Sequence, residues 1–188
     1  MEVKLTDFIK TRELLSLNQV SAILKTYING DFRDAEVSIN NKNVVNTENR
    51  KVKVLALKPD CFTSIHWINF IRYSITKLVK EYCEGHGLPL PKYLETIDLL
   101  KYEKGGFYKP HVDYTPHNLG NVERSFSIVI FLNNDFKGGN LRFMYGNEYF
   151  DITPYPGKVV IWPSNMLFKH SAMPVEEGTR YALVSWMS

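Results

Sequence analysis

The sequence predicts a mainly β domain with helices at its N-terminal end: a jelly-roll core of about eight strands over residues 96–188, preceded by a helical support region over 1–95. Three observations carry this. The first half holds two stretches whose apolar residues recur at helical spacing. From Thr96 onward the pattern changes to short runs rich in Ile, Val, Phe and Tyr, separated by glycine-bearing turns. No helical period interrupts those runs, which argues for an antiparallel sandwich or barrel. A chain of 188 residues, 44% apolar, is long enough for one such core and suits a single domain.

The first helix begins at Ser16, where Ser16-Leu17-Asn18-Gln19 has capping-box spacing. Val20, Ile23, Leu24 and Tyr27 supply its apolar face, and Gly30 offers a left-handed terminus. The segment Ser38–Lys53, rich in Asn and Lys and weakly periodic, reads as an exposed, mobile loop and motivates the expectation of a lid over substrate. The second helix runs from about Ser64 to Glu84, with Ile71, Ile75, Leu78 and Tyr82 on its apolar face and Gly85 and Gly87 at its end. Then come eight expected strands: Ile97–Glu103, Tyr108–Asp113, Phe126–Leu132, Leu141–Met144, Tyr149–Ile152, Lys158–Trp162, Met166–His170 and Arg180–Trp186.

Composition narrows the function classes. The formal charge of +3 is too small to announce a nucleic-acid binder. No apolar run approaches the ~18 residues a membrane helix needs, and the charged start MEVKLTDFIK is unlike a signal peptide, so a cytoplasmic location is expected. Two cysteines, Cys61 and Cys83, are too few for a disulfide framework or a cysteine-built zinc site.

The strongest chemical signal is His111-Val112-Asp113. On a strand, residues i and i+2 share a face, so an imidazole and a carboxylate can occupy adjacent positions on a metal. With five histidines in the chain the spacing also arises by chance, and a hydrogen-bonded His–Asp pair would look the same. His170, on a distant β segment, is the third candidate. Two His and one carboxylate leave open positions of the kind non-haem Fe(II) oxygenases use, and a catalytic zinc could take the same three. Arg180 begins the last strand, where an inward guanidinium would call for an anionic ligand. A surface pairing with Glu176 or Glu177 is the alternative. His117 is a candidate for the site mouth or a solvated loop. His66 and His86 read as structural, Trp67 and Phe70 as core, and Tyr108 is open between pocket and packing.

Together these residues carry a resemblance. Tyr102-x-x-Gly105-Gly106-x-Tyr108-x-x-His111-x-Asp113, then Phe136-Lys137-Gly138-Gly139-Asn140-Leu141, Trp162-Pro163-Ser164, His170 and Gly178-Thr179-Arg180 are similar to the 2-oxoglutarate- and Fe(II)-dependent dioxygenases. Within them the chain resembles the prolyl-4-hydroxylase-like branch, including compact PKHD-type hydroxylases. The likeness covers about residues 96–188. It is fainter before that, where only the helix near Ser16–Ile28 and Asp34-Ala35-Glu36-Val37 match.

The resemblance implies a double-stranded β-helix. It implies iron held by His111, Asp113 and His170, and 2-oxoglutarate with its far carboxylate on Arg180. It also implies Tyr102 in the cosubstrate pocket, Trp186 at an aromatic position of peptidyl-proline hydroxylases, and ascorbate as a reductant. Phe131 stands where some relatives have a tyrosine that bonds the cosubstrate, so it is expected only in the pocket wall. Hydroxylation follows from the retained Asp113, since related halogenases lose that carboxylate. The expected reaction consumes O2 and 2-oxoglutarate, releases succinate and CO2, and hydroxylates a C–H bond of a peptidyl prolyl residue or similar side chain. A free amino acid or small metabolite is the alternative substrate. A nucleic-acid demethylase fits less well, because the second arginine of such enzymes is here Trp186. A non-catalytic jelly-roll binding module would have no reason to keep the triad and Arg180.

Overall fold

The computed structural model describes residues 4–39, 42–114 and 123–188. A short 3-10 turn (Leu5–Phe8) leads into β1 (Lys10–Glu13), α1 (Leu17–Tyr27), β2 (Arg33–Asp34), β3 (Glu36–Ile39), β4 (Lys42–Val45), β5 (Arg50–Lys51), β6 (Lys53–Ala56) and α2 (Phe62–His86). The remainder is β7 (Asp98–Tyr102), β8 (Phe107–His111), β9 (Phe126–Phe131), β10 (Lys137–Gly138), β11 (Leu141–Tyr145), β12 (Glu148–Ile152), β13 (Lys158–Pro163), β14 (Lys169–Ala172), β15 (Val175–Glu177) and β16 (Arg180–Met187).

Both helices start as their sequences dictate. The Ser16 hydroxyl accepts the Gln19 amide while the Gln19 side chain accepts the Ser16 amide, closing the capping box. α2 begins two residues earlier than expected because Cys61 and Ser64 cap each other reciprocally. It runs through Gly85 and stops at Gly87, whose φ of 64° is the left-handed conformation a side chain would disfavour. Gly30 does not adopt that conformation. It makes room for Leu55, whose Cδ2 would lie 2.5 Å from an added Cβ.

Two sheets face each other. The larger has the order β1-β13-β9-β16-β7-β6-β2 and the smaller β12-β11-β14-β8-β5, with antiparallel pairing throughout. Strict alternation on the larger sheet separates two apolar layers. Ile128 and Ile130 of β9, Leu99 of β7, Leu183 of β16 and Ile161 of β13 pack on the helices. Val129, Phe131, Leu100, Val184 and Trp162, from the same strands, pack toward the smaller sheet. Buried on both faces, these strands read as unbroken apolar runs, and a slip of one residue would exchange the layers.

All eight expected strands form, with the seventh displaced. It begins at Lys169, so His170 sits near its start, where the sequence placed it at the end. The pair β10–β15 was not anticipated. Two further expectations are corrected. The region before residue 96 is not only helical, because it supplies β1 to β6, three of which extend the larger sheet. Nor is Ser38–Lys53 one exposed loop. β3 and β4 pair as a hairpin, and β5 joins the smaller sheet beside β8. Asn-rich composition signals turns, but strand edges can satisfy the same residues. Among the described residues, no helix is long and apolar enough to cross a membrane.

Candidate active site

Antiparallel pairing of β8 with β14 sets His111 directly opposite His170. Asp113 lies two residues beyond the end of β8 and still turns to the same centre. His111 Nε2 is 3.7 Å from Asp113 Oδ1, and His170 Nε2 is 3.5 Å from Asp113 Oδ2. One ligand atom from each of the three lies within 4.8 Å of the others. The far nitrogens fix the tautomers. His111 Nδ1 is 2.8 Å from the Lys109 carbonyl and His170 Nδ1 is 3.0 Å from that of Phe168. Carbonyls only accept, so each Nδ1 carries the proton and each Nε2 turns its lone pair inward.

Burial and the neighbouring His170 push the His111 imidazole well below its ordinary value, which keeps it in the neutral, ligating form. Burial alone would raise the Asp113 carboxyl. His170, His111, the Ser127 hydroxyl and the nearby Trp186 indole outweigh it, so the group is held low and ionised. Ser127 donates to Asp113 Oδ2 at 2.7 Å, which leaves Ser164, at 2.6 Å, to donate to Ser127. Two imidazoles that turn Nε2 to a common centre and one ionised carboxylate, with no thiolate among them, fit a divalent iron. Aromatic rings brace the imidazoles. Tyr108 stacks on His111 with centroids 3.5 Å apart, and Trp162 meets His170 edge-on at 4.9 Å. Tyr108 therefore belongs to the pocket.

The triad opens on a cavity of ≈ 880 Å³ between the two sheets, and Arg180 faces the same cavity. Its side chain is 2% exposed, with Nη1 donating to the Gly139 carbonyl at 3.0 Å. Nε has no hydrogen-bond partner, and no carboxylate among the described residues pairs with the guanidinium. Lys137, not Arg180, takes Glu177. The Tyr102 and Phe131 rings lie 4.8 and 5.1 Å from the guanidinium carbon. Burial lowers its pKa, yet a guanidinium stays charged, so this is a desolvated cation awaiting an anion.

Of the expected site residues, His111, Asp113, His170, Arg180, Tyr102 and Trp186 all line the one cavity. Phe131 does not. It is fully buried and backs the Arg180 guanidinium from outside the lining. His117 lies outside the described residues. His66 packs edge-on to Trp67, His86 lies against Tyr82, and Trp67 and Phe70 border the helix-side core. Sequence reasoning missed Ser127, Arg50, Arg124 and Asp98. Asp98 was within reach of the period-two rule, since it stands four residues before Tyr102 on one face of β7.

Residues 97–188 match the profile of the 2OG-Fe(II) oxygenase superfamily, the segment that carries every triad residue and Arg180. Over that segment the chain is similar to that superfamily. Relatives agree with it. A PKHD-type hydroxylase of Synechococcus sp. (strain CC9311) is 29% identical over 127 residues, covering 65% of this chain and 57% of its own. Another, from Synechococcus sp. (strain CC9605), is 27% identical over 184 residues, covering 94% and 76%. The chain spans about half the length of the first curated relatives it matches. Among solved structures, a prolyl hydroxylase from Trichoplax adhaerens, in complex with a hypoxia inducible factor peptide, superposes with a TM-score of 0.78 at 20% identity, covering 97% of this chain and 84% of its own. A Pseudomonas putida prolyl-4-hydroxylase gives 0.71 at 18%, covering 96% and 91%. These likenesses establish the jelly-roll fold of the 2OG-Fe(II) oxygenases for this chain.

Proposed function

We propose that the protein hydroxylates an unactivated C–H bond of a peptidyl prolyl residue or a similar side chain, using 2-oxoglutarate and O2. The observation that carries the reading is Arg180: a buried cation without a carboxylate partner, on the wall of the cavity that holds the triad. A 2-oxoglutarate dianion answers both ends, with one carboxylate for the guanidinium and a keto acid for the metal.

Fe(II) held by His111, Asp113 and His170 would supply oxidative decarboxylation of 2-oxoglutarate to succinate and CO2, coupled to transfer of one oxygen atom into the C–H bond. The protein's share is positioning. Lys109 and Phe168 fix the imidazoles through their carbonyls, and Ser127 fixes the carboxylate. Arg180 would hold the far carboxylate of the cosubstrate against the Tyr102 ring. Val129, Leu141 and Val184 give the cavity an apolar wall beside the triad. The names of the PKHD-type relatives support hydroxylation, and the prolyl hydroxylase neighbours support the prolyl assignment by analogy.

The test is succinate formation from 2-oxoglutarate with Fe(II) and ascorbate, stimulated by peptides, free amino acids or nucleosides, with an oxygen-atom mass gain in the stimulating compound. His111→Ala, Asp113→Ala and His170→Ala should each abolish it. Succinate formation that survives any of the three would contradict the ligand assignment. A nucleoside that stimulates where no peptide does would displace the prolyl reading.

A further inference from the structure

Beyond the triad the cavity reaches a second polar end. β7 turns Tyr102, Leu100 and Asp98 toward it at alternate positions. Across the pairing with β16, Tyr102 lies opposite Arg180 and Asp98 lies opposite Val184. The Asp98 carboxylate thus stands four residues along the strand from the Arg180 row, about 13 Å at ~3.3 Å per residue. It is half-buried, and among the described residues it makes no hydrogen bond or ion pair.

Its neighbours cannot supply one. In the row across the sheet its companions are Ala56, Val184 and Val129, none of which carries a donor. Neither of the two cations that act on it bonds to it, although Arg50 Nε is itself buried without a partner. Arg124 forks onto Glu95 with both bonds at 2.8 Å and lies 3.8 Å above the Trp186 ring. Arg50 donates to the Glu36 carbonyl at 2.9 Å and lies 4.7 Å over Tyr108. Burial raises the Asp98 carboxyl. Arg50 and Arg124 offset part of that from a distance, and Glu95 adds to it. A carboxylate on a cavity wall with no partner of its own is stabilised when a ligand brings a cation to it.

We propose that Asp98 is a specificity-determining residue that binds a cationic nitrogen, an ammonium or guanidinium, carried by the substrate. It would hold that group at the end of the cavity remote from Arg180 while the target C–H faces the triad. The inference deepens the hydroxylase reading and rests on it for the word substrate; the charge preference of the cavity can be measured without turnover. The cation can come from a free amino acid, from a peptide N-terminus or from a basic side chain near the target, and the probes separate these sources.

Three probe pairs suffice, titrated by calorimetry into the metal- and 2-oxoglutarate-loaded protein without oxygen. They are L-proline against N-acetylproline, a prolyl pentapeptide with a free against an acetylated N-terminus, and an acetylated pentapeptide with lysine against norleucine beside the proline. The wild type should bind the cationic member of at least one pair about tenfold more tightly or better, the size of one charge-assisted hydrogen bond. Asp98→Asn should bring that ratio to within about twofold. Asp98→Glu should retain it, and Asp98→Lys should invert it toward a glutamate-bearing peptide. Circular dichroism checks that each variant is folded. Equal or absent binding of the cationic members in all three pairs overturns the proposal, as does an undiminished preference in Asp98→Asn. Failure of the hydroxylase reading is a different result: wild-type protein that forms no succinate, whatever its charge preference.

Discussion

Replacing Arg180 by methionine isolates the buried cation, because methionine keeps most of the stem and none of the charge. In the ligand-free protein the guanidinium is 2% exposed, with one bond to the Gly139 carbonyl and no carboxylate among the described residues. Losing that bond costs about 1 kcal/mol, and removing an uncompensated buried charge offsets it. Arg180→Met should therefore unfold within a few degrees of wild type when no ligand is present. Ligand binding should differ sharply. Truncating one partner of a buried charge pair costs roughly 2–5 kcal/mol, so the Kd for 2-oxoglutarate should rise by about 30-fold to several thousand-fold. At about 100 times the wild-type Kd, 2-oxoglutarate stabilises the wild type by about 2.7 kcal/mol, or about 5–11 °C in Tm for a chain of this size. With Kd raised about 100-fold, the same concentration gives the variant about 0.4 kcal/mol, or about 1 °C. The assay is thermal unfolding with metal constant and oxygen excluded, and pyruvate, which lacks the far carboxylate, is the control. Pyruvate should shift both proteins alike. Equal shifts of both by 2-oxoglutarate, or a wild-type shift no larger than pyruvate's at the same concentration, would refute the role assigned to Arg180.

Ser127→Ala removes the hydroxyl that orients Asp113 at 2.7 Å and leaves all three ligands in place. Metal affinity should fall about 10- to 100-fold with little change in fold, as read by competition with a chelator; an unchanged affinity would show that the hydroxyl does not position the carboxylate. Tyr27 and Tyr82 are both pushed up to about 12 by burial, and their hydroxyls donate to the Ser64 and Phe8 carbonyls. The unfolded chain ionises near its ordinary value of ~10, so the folded state is the one that keeps its protons. Their stabilisation is intact below about pH 10 and is lost as pH rises toward 12. Tm followed from pH 8.5 to 11.5 should fall with the appearance of phenolate absorbance, and Tyr82→Phe should flatten that fall at a cost of about 1 kcal/mol at neutral pH. Parallel profiles for the two proteins would count against it.

The central strands β9, β13 and β16 were legible because they are buried on both faces. Runs such as Ile128-Val129-Ile130-Phe131 have no polar member to blur them. The N-terminal strands were hidden for the opposite reason. β2, β4 and β5 are two to four residues long and rich in Arg, Lys and Asn, so no period emerges, and only pairing with β6, β3 and β8 makes them strands. The triad could be proposed from spacing because i and i+2 share a face, and His170 because a jelly roll brings distant strands together. Residues that act by answering another side chain were invisible. Ser127 matters only because β9 passes beneath Asp113, and Asp98 only because no neighbour meets its charge.

The register explains why cosubstrate and substrate ends do not interfere. β7, β16 and β9 form the floor of the cavity, and their pairing fixes it in rows: Tyr102 with Arg180, then Leu100 with Ala182 and Phe131, then Asp98 with Val184 and Val129, then Trp186 with Ser127. The cationic row and the carboxylate row are separated by a row of apolar side chains, so Arg180 and Asp98 cannot collapse onto each other when the cavity is empty. A buried Arg–Asp contact there would satisfy both charges internally and leave no reason for a dianion to bind. Changing the spacing within β7 by one residue would turn Asp98, Leu100 and Tyr102 to the helix-packed layer and bring Leu99 to the cavity. Loop changes between β7 and β8 would not. The alternation that builds the two apolar layers is thus also what holds the two charged ends apart, with the His–Asp–His centre facing the floor from the smaller sheet.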